Sequence, residues 1–295
     1  MMNNMGFEGR AEEMPSMLGD YETARQHLFI RINGIEGNEQ ALSEMPFTMK
    51  DDLAITYHVM LGENNGTVVS APVTNDLLKH YGISVEQLHE DALKSSEQVM
   101  QPTIHPMSDL LSSMTIYGGQ GISQTEGFDA QLESISFDGP NMTVLSNKMT
   151  MFGAAAIAYD GMLDKIAEKA GTDLIVIPSS LHEVIILPDN GIFDYKDLEN
   201  MVQEVNRYEV RPEDKLSDHL YHYDREGKMF EKAMDFKERM RSEVPFEKGR
   251  AAEVSAKKDG PGKERVSIKD QLKDATIESG KQAAKHLPKK EAVLS

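Results

Sequence analysis

Two short runs, Asp173–Pro178 (DLIVIP) and Glu183–Pro188 (EVIILP), constrain this chain more than any other feature. Each is rich in Ile and Val and stopped by a proline. They are too short and too β-branched for a helical face, and they suit strands buried on both sides. The residues between them, Ser179-Ser180-Leu181-His182, are turn-like, so the two runs are expected to form a tight pair. Helices flank the pair. Met162, Leu163, Ile166 and Ala170 recur at helical spacing opposite Asp164, Lys165, Glu168 and Lys169, with Gly171 as the C-terminal cap. Asp194 caps a second helix carrying Leu198, Met201, Val202 and Val205, with Asp197 in its first turn. Gly153–Tyr159 (GAAAIAY) is separated from the helix after it by Asp160-Gly161 and reads as a strand paired with Met142–Ser146. The fold class is α+β, a mostly antiparallel sheet with helices packed on it, followed by a C-terminal helix and a disordered tail.

The rest of the chain is arranged around this unit. Residues 1–18 show no periodicity and read as disordered. Tyr21, Ala24, Leu28 and Ile32 give a helix ending near Asn33-Gly34. Leu53–Met60 alternates, Glu63-Asn64-Asn65-Gly66 turns, and Thr67–Val73 returns, which is a hairpin pattern. Thr74-Asn75-Asp76 starts a short helix ended by Gly82; Ser84 and Gln87 form a capping-box pattern before a helix that turns Val85, Leu88, Ala92 and Val99 inward. Residues 101–141 are weakly patterned, with Leu132–Phe137 as an edge strand and 118–139 as a flexible insert. Leu220–Tyr223 adds a last strand. Met229, Ala233, Phe236 and Met240 mark an amphipathic helix over 226–245. The organisation is therefore an N-terminal segment (1–18), an α+β domain (19–225), the late helix, and a low-complexity tail (246–295).

Several motifs follow one another in an order that carries a resemblance. They are DLAITYHVML at Asp52–Leu61, YGISVEQLHEDAL at Tyr81–Leu93, VLSNK at Val144–Lys148, GAAAIAYDGML, IPSSLHEVIILP, MVQEVN at Met201–Asn206 and LSDHLYHYDRE at Leu216–Glu226. Together they resemble the domain of unknown function 5688 family of gut clostridial bacteria, over roughly residues 20–235. The resemblance implies a bacterial protein and implies no activity. The family pattern has a proline near Asp160 that this chain lacks, and Gly118–Gly139 reads as an insertion against it.

The chain has no cysteine, which excludes disulfides, thiol nucleophiles and Cys-based zinc sites. MMNNMGFEGRAEEMPSM has neither a basic nor an apolar leader region, and no run approaches the ~18 apolar residues of a spanning helix. A cytoplasmic protein with no membrane contact is expected. Net charge is -18 and unevenly placed: residues 246–295 hold 12 basic and 8 acidic residues, the remainder 19 and 41. Such an acidic body repels nucleic acid.

The sharpest candidate for chemistry is the turn itself. Ser179 or Ser180 as nucleophile, His182 as base and Glu183 beside it are the residue types of a hydrolase, provided hydroxyl and imidazole meet. No G-x-S-x-G elbow accompanies them. The plainer alternative is that the serines cap a turn and His182 bonds backbone. A metal site is the second candidate: His182, His219 and His222, with Asp218 and Asp224 in SDHLYHYD, are ligand types for divalent ions. Against it, H-x-x-H on a strand sends its imidazoles to opposite faces, and there is no HExxH. Gly118-Gly119-Gln120-Gly121 lacks the lysine of a phosphate loop, and no motif implies a cofactor. The 19 methionines suit either a core or an adaptable surface. With no complete catalytic set, the expectation is a non-enzymatic accessory or binding protein. It would engage a protein partner through the 226–245 helix or the tail, where VSIKDQLKDA faintly resembles proteins of mobile elements.

Overall fold

Alternating apolar stretches build two antiparallel sheets in the computed structural model, which describes residues 14–64, 67–117, 126–139 and 141–243. The first sheet holds β1 (Leu28–Gly34), β2 (Phe47–Lys50), β3 (Leu53–Asn64) and β4 (Thr67–Pro72). β3 is its spine: β1 lies along one edge, while β2 and β4 divide the other. The expected hairpin is therefore present, with a register shift between Met60 and Gly62. The second sheet contains β5 (Pro102–Pro106), β6 (Thr143–Asn147), β7 (Asp173–Ser180), β8 (Glu183–Asp189), β9 (Tyr221–Asp224) and β10 (Met229–Lys232), in the order β10-β9-β7-β8-β6-β5. β7 and β8 pair directly, as their sequences imply, and are buried on both faces.

The helices are α1 (Met14–Gly19), α2 (Tyr21–Ala24), α3 (Glu39–Ser43), α4 (Asn75–Tyr81), α5 (Val85–Val99), α6 (Met107–Tyr117), α7 (Phe128–Ser134), α8 (Met162–Ala170), α9 (Tyr195–Tyr208) and α10 (Ala233–Glu243). Their ends follow the capping residues. Thr74 accepts from the Leu77 amide, Ser84 from Gln87 and Asp194 from Lys196 and Asp197; Gly82 and Gly171 close their helices in the left-handed region. The capping box of α5 is half made, because the Gln87 side chain turns to Asp91 instead of reaching back. Leu174, Val176, Val184 and Ile186 pack with Leu28, Ile30, Tyr57, Leu88 and Ile166 in one core shared by both sheets. Ile175, Ile177, Ile185 and Leu187, on the opposite face, meet Leu198 and Val202 of α9 and Ala233 of α10. Among the described residues no helix is long and apolar enough to cross a membrane.

Several local expectations are corrected. Tyr21–Ile32 is not one helix: α2 ends at Ala24, a short 3-10 turn follows, and Leu28–Gly34 is strand β1. Leu28, Ile30 and Ile32 alternate as well as they spiral, and pairing with β3 decides between the two. Gly153–Ala158 is a 3-10 segment rather than a strand. β6 already has β5 on one edge and β8 on the other, so it has no edge left to accept it. Leu132 lies in α7 and not in an edge strand, with Leu132 and Gln131 buried. Part of the 1–18 segment is helical, as α1, with Met17 and Leu18 against the core. Met229 belongs to β10, and the late helix begins only at Ala233. Residues 118–125 of the expected insert, and the 246–295 tail, lie outside the described residues.

Candidate functional site

The β7–β8 turn is fastened to the rest of the molecule at nearly every polar group. The Leu181 amide donates to the Asp214 carbonyl at 2.8 Å, and the Leu181 carbonyl accepts from the Ala154 amide at 3.3 Å. The His182 amide donates to Ser180 Oγ at 3.0 Å, and the His182 carbonyl accepts from Ser146 Oγ at 2.7 Å. The imidazole is equally committed. Its Nδ1 accepts from the Phe152 amide at 3.2 Å, which puts the proton on Nε2, and Nε2 meets Asp214 Oδ1 at 3.2 Å. Arg211 holds the other oxygen of Asp214, from Nη2 at 2.6 Å and Nε at 2.8 Å. Burial acts to raise the Asp214 carboxyl, but His182 and Arg211 together keep it below the ordinary carboxylate value.

Both serines are buried in this joint, and neither is a partner of the His182 ring. Ser179 Oγ instead contacts Glu183 Oε1 at 3.4 Å. A general base needs a free lone pair directed at the nucleophile's proton. That of His182 points at a backbone amide. The partner loop is itself constrained: Thr150 and Phe152 take positive φ values of 51° and 58°, and Asn147 Nδ2 donates to the Met151 carbonyl at 2.8 Å. Non-glycine residues in this region persist where the surroundings over-determine them.

The histidines proposed as metal ligands occupy three separate places. His182 sits in the turn. His219 is half-exposed beside Glu199, with Nδ1 at 3.2 Å from Oε1. His222 is fully buried on β9, across from Ile175 and on the face carrying α9 and α10. Among the described residues no group of three or more His, Asp or Glu could hold a metal ion.

His222 nevertheless anchors a feature the sequence did not reveal. Asp173 and Asp189 are cross-strand partners, a like-charge pairing that is unfavourable alone. The His222 Nε2 lies 3.5 and 3.4 Å from their carboxylates, within ion-pairing range but aligned for a hydrogen bond with neither. Phe236 of α10 stacks on the imidazole at 3.6 Å between centroids. The Tyr195 hydroxyl donates to Asp189, and burial followed by this carboxylate raises the phenol. Burial opposes ionisation of Asp189, yet the neighbouring His222, Tyr195 and the Gly191 amide hold its carboxyl below the ordinary value. Above this cluster opens a cleft of about 370 Å³ lined by Asp189, Phe193, Tyr195, Phe236, Lys237 and Met240. Its residues are scattered over a loop, a helix start and a distant helix. Only the aromatic content of Phe193-Asp194-Tyr195 and the Phe236–Met240 spacing could have signalled it.

Fold and site together define an antiparallel α+β protein with a locked polar joint at the turn of the β7–β8 hairpin and an open aromatic cleft at the hairpin's other end. A family model described as a family of unknown function, DUF5688, matches residues 5–225, and the chain belongs to that family. The matched span contains His182, Asp214 and His222 and ends before α10. No curated protein and no solved structure matches the chain.

Proposed function

We propose that this protein is a non-enzymatic binding protein whose cleft between the β8–α9 loop and α10 seats an apolar side chain presented by a protein partner. The cleft carries the reading. Phe193, Tyr195, Phe236 and Met240 give it apolar walls, and Lys237 and Asp189 place charge at its edge. Met240, 44% exposed, and Ile192, 67% exposed, extend apolar surface beside it. Solvent-facing apolar residues grouped at a concave site are the usual mark of a partner surface. The commitments of His182 to Phe152 and Asp214 support the same reading over a hydrolase using Ser179 or Ser180. An association with mobile elements belongs to this proposal and rests on the VSIKDQLKDA segment alone.

The test is affinity capture from native host lysate, with the wild-type chain and with Met240→Asp as bait, checking by circular dichroism that the variant is folded. A specific protein held by wild type and depleted at least about tenfold by the variant is expected, since a buried apolar anchor is worth a few kcal/mol. A partner retained equally by the variant removes the cleft from the account. The absence of any specific partner removes the function.

A further inference from the structure

Arg31 is a partly buried cation without an anion among the described residues. It lies on β1, largely covered, on the face that carries Phe29 and meets the loop of Met149, Met151 and Phe152. The Phe152 ring centroid is 3.5 Å from its guanidinium carbon, and the ring of Phe29 is at 5.5 Å. Among the described residues its only hydrogen bond is from Nη2 to Ser70 Oγ, at 2.5 Å, and its buried Nε has no partner. Among the described residues no carboxylate comes within ion-pairing distance of it. Burial alone accordingly pulls its pKa down to about 10.

A second orphan lies on the same face. His58 pairs in register with Phe29, two residues from Arg31, and is 7% exposed. Its Nε2 contacts Thr56 Oγ1 at 3.1 Å, and Thr56 Oγ1 also accepts from Asn33 Nδ2 at 3.1 Å. When the Thr56 hydroxyl donates to Nε2, the His58 proton sits on Nδ1, a buried donor with no partner. Burial, then the charge of Arg31, holds His58 well below its ordinary pKa, so it offers this N–H as a neutral ring. A guanidinium with an idle Nε–H, a hydroxyl at Ser70 and a neutral imidazole N–H form a set of donors with no acceptor supplied. Buried charges are as a rule paired, and a bound ion is one way such unsatisfied buried donors are satisfied.

We propose that Arg31, with Ser70 and His58, binds a small oxyanion, a carboxylate or a phosphate, on the face of the first sheet that meets the loop of Met149, Met151 and Phe152. A guanidinium fork is shaped to take two oxygens of such a group, and its aromatic neighbours keep the fork flat and poorly hydrated. This site is independent of the cleft: it lies on the other sheet and shares no residue with it.

The test reads the Arg31 Nε–H resonance in ¹H–¹⁵N spectra of the full chain during titration with sodium phosphate and, separately, sodium acetate, at ionic strength matched with chloride. The expected result is a saturable shift of that resonance with at least one of the two. Saturation by phosphate alone identifies a phosphoryl ligand, and saturation by acetate alone identifies a carboxylate. Arg31→Lys keeps the charge without the fork and should weaken the response at least about tenfold. Ser70→Ala, on an edge strand, should weaken it by a smaller factor. A resonance that does not move, or drifts without saturating, overturns the proposal. So does a response of Arg31→Lys equal to wild type in its backbone amides. Should Arg31→Lys fail to fold, the wild-type titration decides alone.

Discussion

Gly153 has no room for a side chain. A Cβ there would overlap Ser146 Oγ and lie 2.5 Å from the His182 carbonyl oxygen and 2.8 Å from the Asn147 nitrogen. Two of those contacts are backbone, and the third is the hydroxyl that fastens the β7–β8 turn. Gly153→Ala should therefore cost about 3 kcal/mol in urea unfolding. Gly19→Ala, where nothing lies within 4 Å, should be nearly neutral. Equal stabilities for the two variants would mean that the joint is slack. Asp214 and Asp189 make a second residue-scale prediction. Both carboxyls are held below the ordinary carboxylate value in the folded chain against burial, Asp214 by His182 and Arg211, and Asp189 by His222, Tyr195 and the Gly191 amide. A depressed folded pKa contributes stability that is fully present above the unfolded value of about 4 and is lost as pH falls through the folded value. Stability should thus decline on acidification below about pH 4. Asp214→Asn should flatten that decline and lower stability at neutral pH by about 2 kcal/mol, the worth of hydrogen bonds to a charge. An unchanged pH profile in the variant would separate Asp214 from acid stability.

Elements were legible where a local signal agreed with the tertiary surroundings. β7, β8, α4, α5, α8 and α9 carry their own periodicity and caps, and they lie where those signals place them. β1 was hidden because Leu28 and Ile32 fit a helical spacing that includes Tyr21 and Ala24, and only the ladder with β3 settles the matter. β5 was hidden by Pro102 and Pro106, which a strand tolerates at a sheet edge, where β5 lies. Of the site, His182 stood out in its turn. Its partners Phe152 and Asp214 did not, because they lie 30 and 32 residues away. The cleft was invisible for the same reason, being assembled from the end of β8, the loop after it, the start of α9 and α10. That assembly has a consequence for α10. Its inward residues are few, with Ala233 buried and Phe236 stacked on His222. Phe236→Ala should release the helix at a cost of about 2 kcal/mol, below the range for fully buried phenylalanines. Hydrogen exchange should then quicken in Ala233–Glu243 while β7 and β8 stay protected. Uniform loss of protection across the second sheet would instead make Phe236 part of the global core.

At the scale of the whole molecule, the two sheets share one apolar core, with Leu28 and Tyr57 from the first meeting Val176 and Val184 from the second. Unfolding should accordingly be a single transition, with tyrosine fluorescence and far-ultraviolet circular dichroism coincident in urea; two separated transitions would show that the sheets are independent units. The same architecture frames the functional reading. On the proposed reading, the buried polar residues around the β7–β8 turn serve as a joint, and a protein partner binds at the cleft. Labelling with a fluorophosphonate, which modifies only activated serines, tests this most directly. The account predicts that the folded chain at neutral pH takes up no reagent at Ser179 or Ser180 by intact mass. Stoichiometric modification of either serine, abolished by His182→Ala in a folded variant, would contradict it and make the turn a catalytic site.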